Sequence, residues 1–248
     1  MKFMISSLLS LLMLAGAFIS CSKDSNDTQQ TTGKAGFVSG KINDVKGNPI
    51  AGATIVAEHT VWYDTHVNSV SEATGQYRIN IPANPAGSWI AKAQISKTAW
   101  GQTYVFDLAA DKTDPFNSSQ NAARNFVWKL DGQRAGGYYG AHVDVYAFGV
   151  SVPMEEVKLI FTPYPGETLI DGTPAMAIER TIEDVAGTFM AKDIPVGKYT
   201  LKAVHGNKNL LLDYRHNSGK PETSKIVVFG KYGYLAETEY NISFWLSE

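Results

Sequence analysis

The chain has 248 residues, of which 19% are charged and 44% hydrophobic, and its formal net charge at pH 7 is −2. This length suffices for one large domain or two small ones with a buried core. A net charge so close to zero means that the chain has no excess of basic residues, which argues against nucleic acid as a partner. The single cysteine, Cys21, excludes a disulfide framework and a metal site made of several cysteines.

The first twenty residues are typical of an export signal. Lys2 precedes an uncharged run from Phe3 to Ile19, Ser20 stands directly before Cys21, and the chain then becomes abruptly polar. This arrangement resembles bacterial lipoprotein signals, in which a peptidase cuts before an acylated cysteine. The resemblance implies cleavage after residue 20, lipidation of Cys21 and attachment to a membrane through the lipid. An N-terminal membrane anchor with an incidental cysteine is the alternative.

The residues after Cys21 are typical of a sorting signal followed by a flexible tether. Ser22, Lys23 and Asp24 resemble the short acidic signals that send some Gram-negative lipoproteins to the outside of the outer membrane. The resemblance implies a lipid-anchored outer-membrane protein that faces the cell exterior. Residues 21–35 are mainly small and polar, so we expect a disordered tether after the acylated cysteine.

From residue 36 onward, apolar and polar residues alternate with the period of a β-strand, and we find no sustained helical period. The alternation predicts strands at 37–43, 53–57, 77–81 and 89–95. Turn residues such as Gly47 and Pro49 separate them. Short strands at this spacing predict an all-β protein built from β-sandwiches.

Two parts of this region repeat one pattern. Residues 75–93 are echoed by 187–203, and the strand end at 125–130 is echoed by 241–246. A polar, glycine-rich segment at 131–137 lies between the copies. The repeat predicts two tandem immunoglobulin- or transthyretin-like sandwiches, at 36–131 and 138–248.

The first copy has small residues and turn residues at the positions that are characteristic of one known family. Its residues are Val38-Ser39-Gly40-Lys41-Ile42, Asp44, Gly47, Pro49-Ile50, Gly52-Ala53, Ile55, Thr74-Gly75 and Tyr77. This pattern resembles the carboxypeptidase regulatory-like domain, whose fold is a seven-stranded transthyretin-like sandwich. The resemblance covers about residues 36–130 and implies a fold, but it says little about activity.

No motif in the sequence predicts catalysis. It has no Gly-x-Ser-x-Gly elbow, no phosphate-binding loop and no His-Glu-x-x-His. A small hydrolase would need His142, Asp144 or His66 to converge in one pocket. We therefore predict a protein without catalytic residues and without a cofactor.

Oxygen ligands for calcium cluster once along the chain, in a segment that reads as a loop. They are Asp107, Asp111, Asp114 and Asn117. Their spacing differs from that of an EF-hand, which needs a central glycine and a closing glutamate. Solvated loop acids are the favoured interpretation, and no metal site is predicted.

Aromatic residues in loop-like segments are the strongest sign of a binding site. An exposed ring stacks on the apolar face of a sugar, while nearby polar groups bind its hydroxyls. We predict a ligand-binding site formed by Trp62, Tyr63, Asp64, His66, Trp100 and Tyr104. The predicted function is glycan binding by a cell-surface module in nutrient uptake. The alternative is an adhesion or assembly scaffold that binds protein, for example through an unpaired edge strand.

Overall fold

The computed structural model describes residues 35–216, 219–233 and 238–248, all of which belong to one compact unit at 32–248. The predicted signal peptide at 1–20, Cys21 and nearly all of the predicted tether lie outside the described residues, so these remain predictions. No helix within the described ranges is long and apolar enough to cross a membrane.

The first sandwich contains ten strands, which alternate between buried and exposed side chains. They are β1 (Gly36–Asp44), β2 (Thr54–His59), β3 (His66–Val70), β4 (Gln76–Ile81), β5 (Ser88–Ala99), β6 (Gln102–Asp107), β7 (Ala109–Ala110), β8 (Phe116–Asn117), β9 (Asn121–Ala123) and β10 (Phe126–Trp128). One sheet has the order β4-β1-β10-β7, with β9 also paired to β1. The other has the order β3-β2-β5-β6, with β8 paired to β5.

The second sandwich follows a short hairpin of β11 (Gln133–Arg134) and β12 (Gly137–Tyr138). Its strands are β13 (Ala141–Ala147), β14 (Lys158–Pro163), β15 (Ile178–Thr181), β16 (Glu183–Val185), β17 (Thr188–Ile194), β18 (Lys198–His205), β19 (Lys208–Tyr214), β20 (Lys225–Val228), β21 (Gly230–Lys231) and β22 (Tyr240–Ser247). Met154–Glu156 forms a single 3₁₀ turn. The main sheet order is β15-β14-β18-β19-β22-β13-β17-β16, with β20 on β18 and β21 on β22.

The two sandwiches repeat the same pairings. In the first, β1 runs antiparallel to β4 and parallel to β10, and in the second, β13 runs antiparallel to β17 and parallel to β22. The strand ends that match in sequence, 125–130 and 241–246, therefore occupy equivalent strands. The predicted all-β sandwich class is confirmed. The domain boundaries at 131 and 138 stay predictions.

Aromatic side chains join the two sandwiches, and we call this contact the joint. Tyr104 of β6 is fully buried and its hydroxyl donates to the carbonyl oxygen of Phe229 at 3.0 Å. Its ring centroid lies 4.9 Å from that of Tyr240. Beside these rings, Arg134 pairs with Asp107 at 2.8 Å. The joint thus combines apolar burial with hydrogen bonds that cross from one sandwich to the other.

Candidate functional site

A groove of about 610 Å³ lies on the outer face of the first sandwich, between the sheet and the loop that connects β2 to β3. Alternation along β2 turns Ile55, Ala57 and His59 into the core, so the intervening side chains face outward. The outward-facing lining consists of Thr54, Val56, Glu58, His66, Asn68, Lys92 and Gln94, and the loop adds Trp62, Tyr63 and Asp64.

The floor of the groove is polar. The strand register places Glu58 opposite His66, and Val56 between Asn68 and Lys92. Lys92 Nζ lies 2.6 Å from Glu58 Oε2, and both side chains are about half exposed. Such a pair contributes less than about 1 kcal/mol. Its ammonium and carboxylate therefore remain accessible to the hydroxyl groups of a ligand.

The wall of the groove is apolar and aromatic. Val61, Trp62 and Tyr63 are consecutive, and 82%, 60% and 98% of their respective surfaces are exposed. Beyond them, Asp64 has a positive φ of 51°, and its Oδ1 lies 3.5 Å from His66 Nδ1. Exposed apolar side chains clustered beside polar groups are typical of interaction sites.

His59, at the end of β2, determines how this loop begins. Its Nδ1 accepts the backbone N–H groups of Val61 and Trp62, each at 3.1 Å. The ring is buried and packs edge-on against Trp89, with 5.0 Å between centroids. A Cβ atom at Gly87 would lie only 2.7 Å from His59 Nε2, so a glycine is required there. The sequence interpretation missed His59, although its inward position in β2 distinguishes it from His66, the other histidine of the groove.

The structure brings together four of the six predicted ligand-binding residues. Trp62, Tyr63, Asp64 and His66 all line the groove. Trp100 and Tyr104 do not line it.

The expectation that Trp100 and Tyr104 are exposed loop aromatics is corrected by their positions in the joint. Tyr104 lies in β6, where the alternation turns it inward, and burial raises its pKa to about 12. Trp100 lies in the β5–β6 turn, is half-buried, and donates its Nε1–H to Glu167 at 3.1 Å. The buried face of Tyr104 offers no surface for a ligand.

Of the residues considered for a hydrolase, His142 and Asp144 are neighbours, whereas His66 lies in a different cavity. His142 Nε2 lies 3.6 Å from Asp144 Oδ1 in the second sandwich, where burial lowers the pKa of His142 against the opposing effect of the Asp144 charge. Asp144 also accepts a hydrogen bond from Asn241 Nδ2 at 2.8 Å. His66 lines the groove of the first sandwich, whereas His142 lines a separate cavity of about 280 Å³.

The acidic residues considered for calcium have separate local roles. Asp111 accepts hydrogen bonds from Asn125, and Asp114 pairs with Arg124 at 3.2 Å. Asp107 belongs to the joint. Within the part of the chain that the structure describes, no three His, Cys, Asp or Glu side chains are grouped as metal ligands would be.

No protein-family model and no curated protein matches the chain, so the resemblance to the carboxypeptidase regulatory-like domain rests on the sequence pattern alone. Several solved structures are similar to it at low identity. The Bacillus anthracis TIE protein is 12% identical with a TM-score of 0.31, and the match covers 86% of this chain and 34% of that one. The streptococcal ancillary pilin is 13% identical with a TM-score of 0.28, over 84% and 62% of the two chains.

The pilus adhesin SpaC from Lactobacillus rhamnosus GG is 8% identical with a TM-score of 0.27, over 86% of this chain and 28% of that one. The match to this chain spans about a third of the length of the TIE protein and just under two thirds of that of the ancillary pilin. Similarity at these TM-scores does not identify a shared function.

Proposed function

We propose that this chain is a non-catalytic cell-surface module that binds a glycan in the groove beside Trp62. One observation carries the proposal: the four residues Trp62, Tyr63, Asp64 and His66, which the sequence selects for sugar recognition, line a single exposed groove. The volume of about 610 Å³ lies within the range of about 300–1,000 Å³ that is typical of small-molecule sites.

The chemistry of the groove matches the two kinds of surface that a sugar ring presents. The exposed indole of Trp62 can stack on the apolar face of a pyranose. Across from it, His66, Asn68 and the Lys92–Glu58 pair supply both donors and acceptors for hydroxyl groups. An open groove of this composition suits part of a chain-like saccharide.

The predicted lipid anchor would place this groove where extracellular glycans are available. Acylation at Cys21 would attach the mature chain to the outer membrane, and the export signal around Asp24 would direct it to the outer face. The membrane is then a partner through the lipid alone. Radiolabelled palmitate incorporated by the wild-type chain and not by Cys21→Ala would support this anchoring, and equal labelling of both would contradict it.

A protein-binding scaffold is the second candidate, and the same hairpin provides the observation that favours it. β3 is the edge of its sheet, because in the described structure it pairs with β2 alone. Val70 of this strand is 57% exposed. A partner strand could add to this edge through backbone hydrogen bonds. Such binding would be lost in Val70→Lys, because edge lysines oppose strand pairing.

The test is calorimetric titration of the full-length protein with a panel of neutral oligosaccharides. We expect Trp62→Ala to weaken binding about fivefold, because a stacked ring contributes roughly 1 kcal/mol. Phe148→Ala is the matched control, since it removes an exposed ring from the second sandwich. Equal weakening by both variants would contradict the assigned site. A flat trace for the whole panel, with a membrane protein captured by the wild type and not by Val70→Lys, would favour the scaffold.

A further inference from the structure

The outer face of the second sandwich carries a second group of aromatic and charged side chains. β13 and β22 run parallel, with Tyr146 opposite Trp245 and Asp144 opposite Ser243. The rings of Tyr146 and Trp245 are 5.4 Å apart between centroids. This face lies on a different sandwich from the groove beside Trp62, and neither shares a lining residue with the other.

Arg215 lies over these rings. Its backbone N–H donates to the carbonyl oxygen of Ser243 at 3.0 Å, which places the residue beside β22. Its Cζ atom is 3.8 Å from the ring centroid of Tyr146 and 5.7 Å from that of Trp245. Among the described residues, no carboxylate pairs with this half-buried guanidinium. Its contact with Tyr146 holds the guanidinium beside this face, and its N–H groups have no acceptor among the residues that the structure describes.

A cavity of about 330 Å³ opens at this point, lined in part by Asp144, Tyr146, Arg215, Lys231 and Tyr232. Lys231 is exposed, and its ammonium also has no carboxylate partner in the described part of the chain. By contrast, Asp144 Oδ2 already accepts hydrogen bonds, from Asn241 at 2.8 Å and from Ser243 at 3.3 Å. Arg215 and Lys231 are thus two cationic donors of the cavity, and neither has a carboxylate partner among the described residues.

The stacking of Arg215 on Tyr146 also determines which chemical group of a ligand Arg215 and Lys231 can contact. Because the guanidinium covers the face of Tyr146, a sugar ring cannot stack there. A guanidinium held in a plane presents paired N–H groups that match a planar carboxylate in a bidentate arrangement. We propose that this cavity is a second binding site, which takes the carboxylate of an acidic saccharide on Arg215 and Lys231.

Asp144 distinguishes an acidic sugar from an acidic peptide. A sugar acid carries hydroxyl groups next to its carboxylate, and these can donate to Asp144 Oδ1, which also lies 3.6 Å from His142 Nε2. A peptide rich in glutamate or aspartate instead presents further carboxylates, which the charge of Asp144 repels. A cavity that is lined by one carboxylate and two cations therefore favours the saccharide.

The test compares trigalacturonate, its uncharged methyl ester and triglutamate in titrations of the full-length protein. We expect trigalacturonate to bind at least tenfold more tightly than either of the others. Arg215→Gln should remove this preference. Arg78→Gln, whose guanidinium stacks 3.5 Å from the ring centroid of Phe37 in the first sandwich, should retain it. Trp62→Ala should retain it as well, because the groove is a separate site.

A second variant guards against loss of folding in Arg215→Gln. Lys231 is exposed, so Lys231→Gln should keep the thermal unfolding midpoint of the wild type and still weaken trigalacturonate binding several-fold. Wild-type affinity in both variants, or equal affinity for the acid and its methyl ester, would overturn the proposal. Equal binding of triglutamate would overturn the assignment to a saccharide. The neutral-sugar titrations with Trp62→Ala report on the groove independently of all these outcomes.

Discussion

The capping of the groove loop by His59 leads to a prediction that separates local order from global stability. In His59→Leu, the substituted side chain has a similar size and remains apolar against Trp89. It has no acceptor for the N–H groups of Val61 and Trp62, which His59 Nδ1 accepts at 3.1 Å each. The loop should therefore loosen while the sandwich stays folded.

The expected changes in free energy come from two kinds of polar group, which are the loop N–H groups that lose their acceptor and the buried Nε2 of His59. Each lost hydrogen bond costs about 1 kcal/mol, so the loop loses about 2 kcal/mol. Against this, His59 Nε2 is buried without a hydrogen-bond partner, and its removal relieves a cost of about 1–3 kcal/mol. The free energy of global unfolding should thus change by less than about 1 kcal/mol. Local opening of the loop should become about 30-fold more frequent.

Amide hydrogen exchange measured by NMR at Val61 and Trp62 is the direct assay, with urea unfolding as the measure of global stability. His205→Leu, in the second sandwich, is the control for the loss of an imidazole. Exchange of both loop amides of His59→Leu at the wild-type rate would refute this role of His59. A large fall in global stability with unchanged loop protection would refute it as well.

Two further predictions concern burial at the joint and beneath the loop. Because the folded-state pKa of Tyr104 is raised to about 12, its contribution to stability is present below about pH 10 and is lost as the pH rises from about 10 to 12. Tyr104→Phe should lower the free energy of unfolding by about 1 kcal/mol at pH 7, because the hydrogen bond to Phe229 is lost. In urea-unfolding experiments, the variant should also lose less of this free energy than the wild type between about pH 10 and 12. An equal decline in both proteins would contradict this prediction. Gly87→Ala should destabilise by more than about 1 kcal/mol, since its Cβ would meet His59 at 2.7 Å and its φ is +148°. Gly101→Ala, with a positive φ and open space around it, is the control, and equal unfolding midpoints for the two would show that the close contact does not matter.

The sequence was most informative where periodicity determines structure. Alternation predicted the four strands that the structure has as β1, β2, β4 and β5. The mixture of aromatic and polar residues at 62–66 predicted a cluster that does line one groove. These inferences succeeded because they depend on neighbours close in sequence.

The sequence was least informative where two distant segments meet. The alternation of residues around Tyr104 predicts which side chains share a face of β6. It does not predict that this face packs against Phe229 and Tyr240 of the other sandwich. The contact of Trp100 with Glu167 was missed for the same reason, because the two residues are 67 positions apart. The stacking of Arg215 on Tyr146 also depends on strand pairing that no local pattern reveals.

The joint has a consequence for ligands that are long enough to reach both sandwiches. Because Tyr104 donates to the backbone of the second sandwich and packs on Tyr240, the joint opposes rotation of one sandwich against the other. A polymer that bound one of the two proposed sites would therefore meet the other at an effective concentration set by a fixed geometry, with little orientational entropy left to lose. The protein would then select polymers in which the spacing of the repeats matches the distance between the two outer faces.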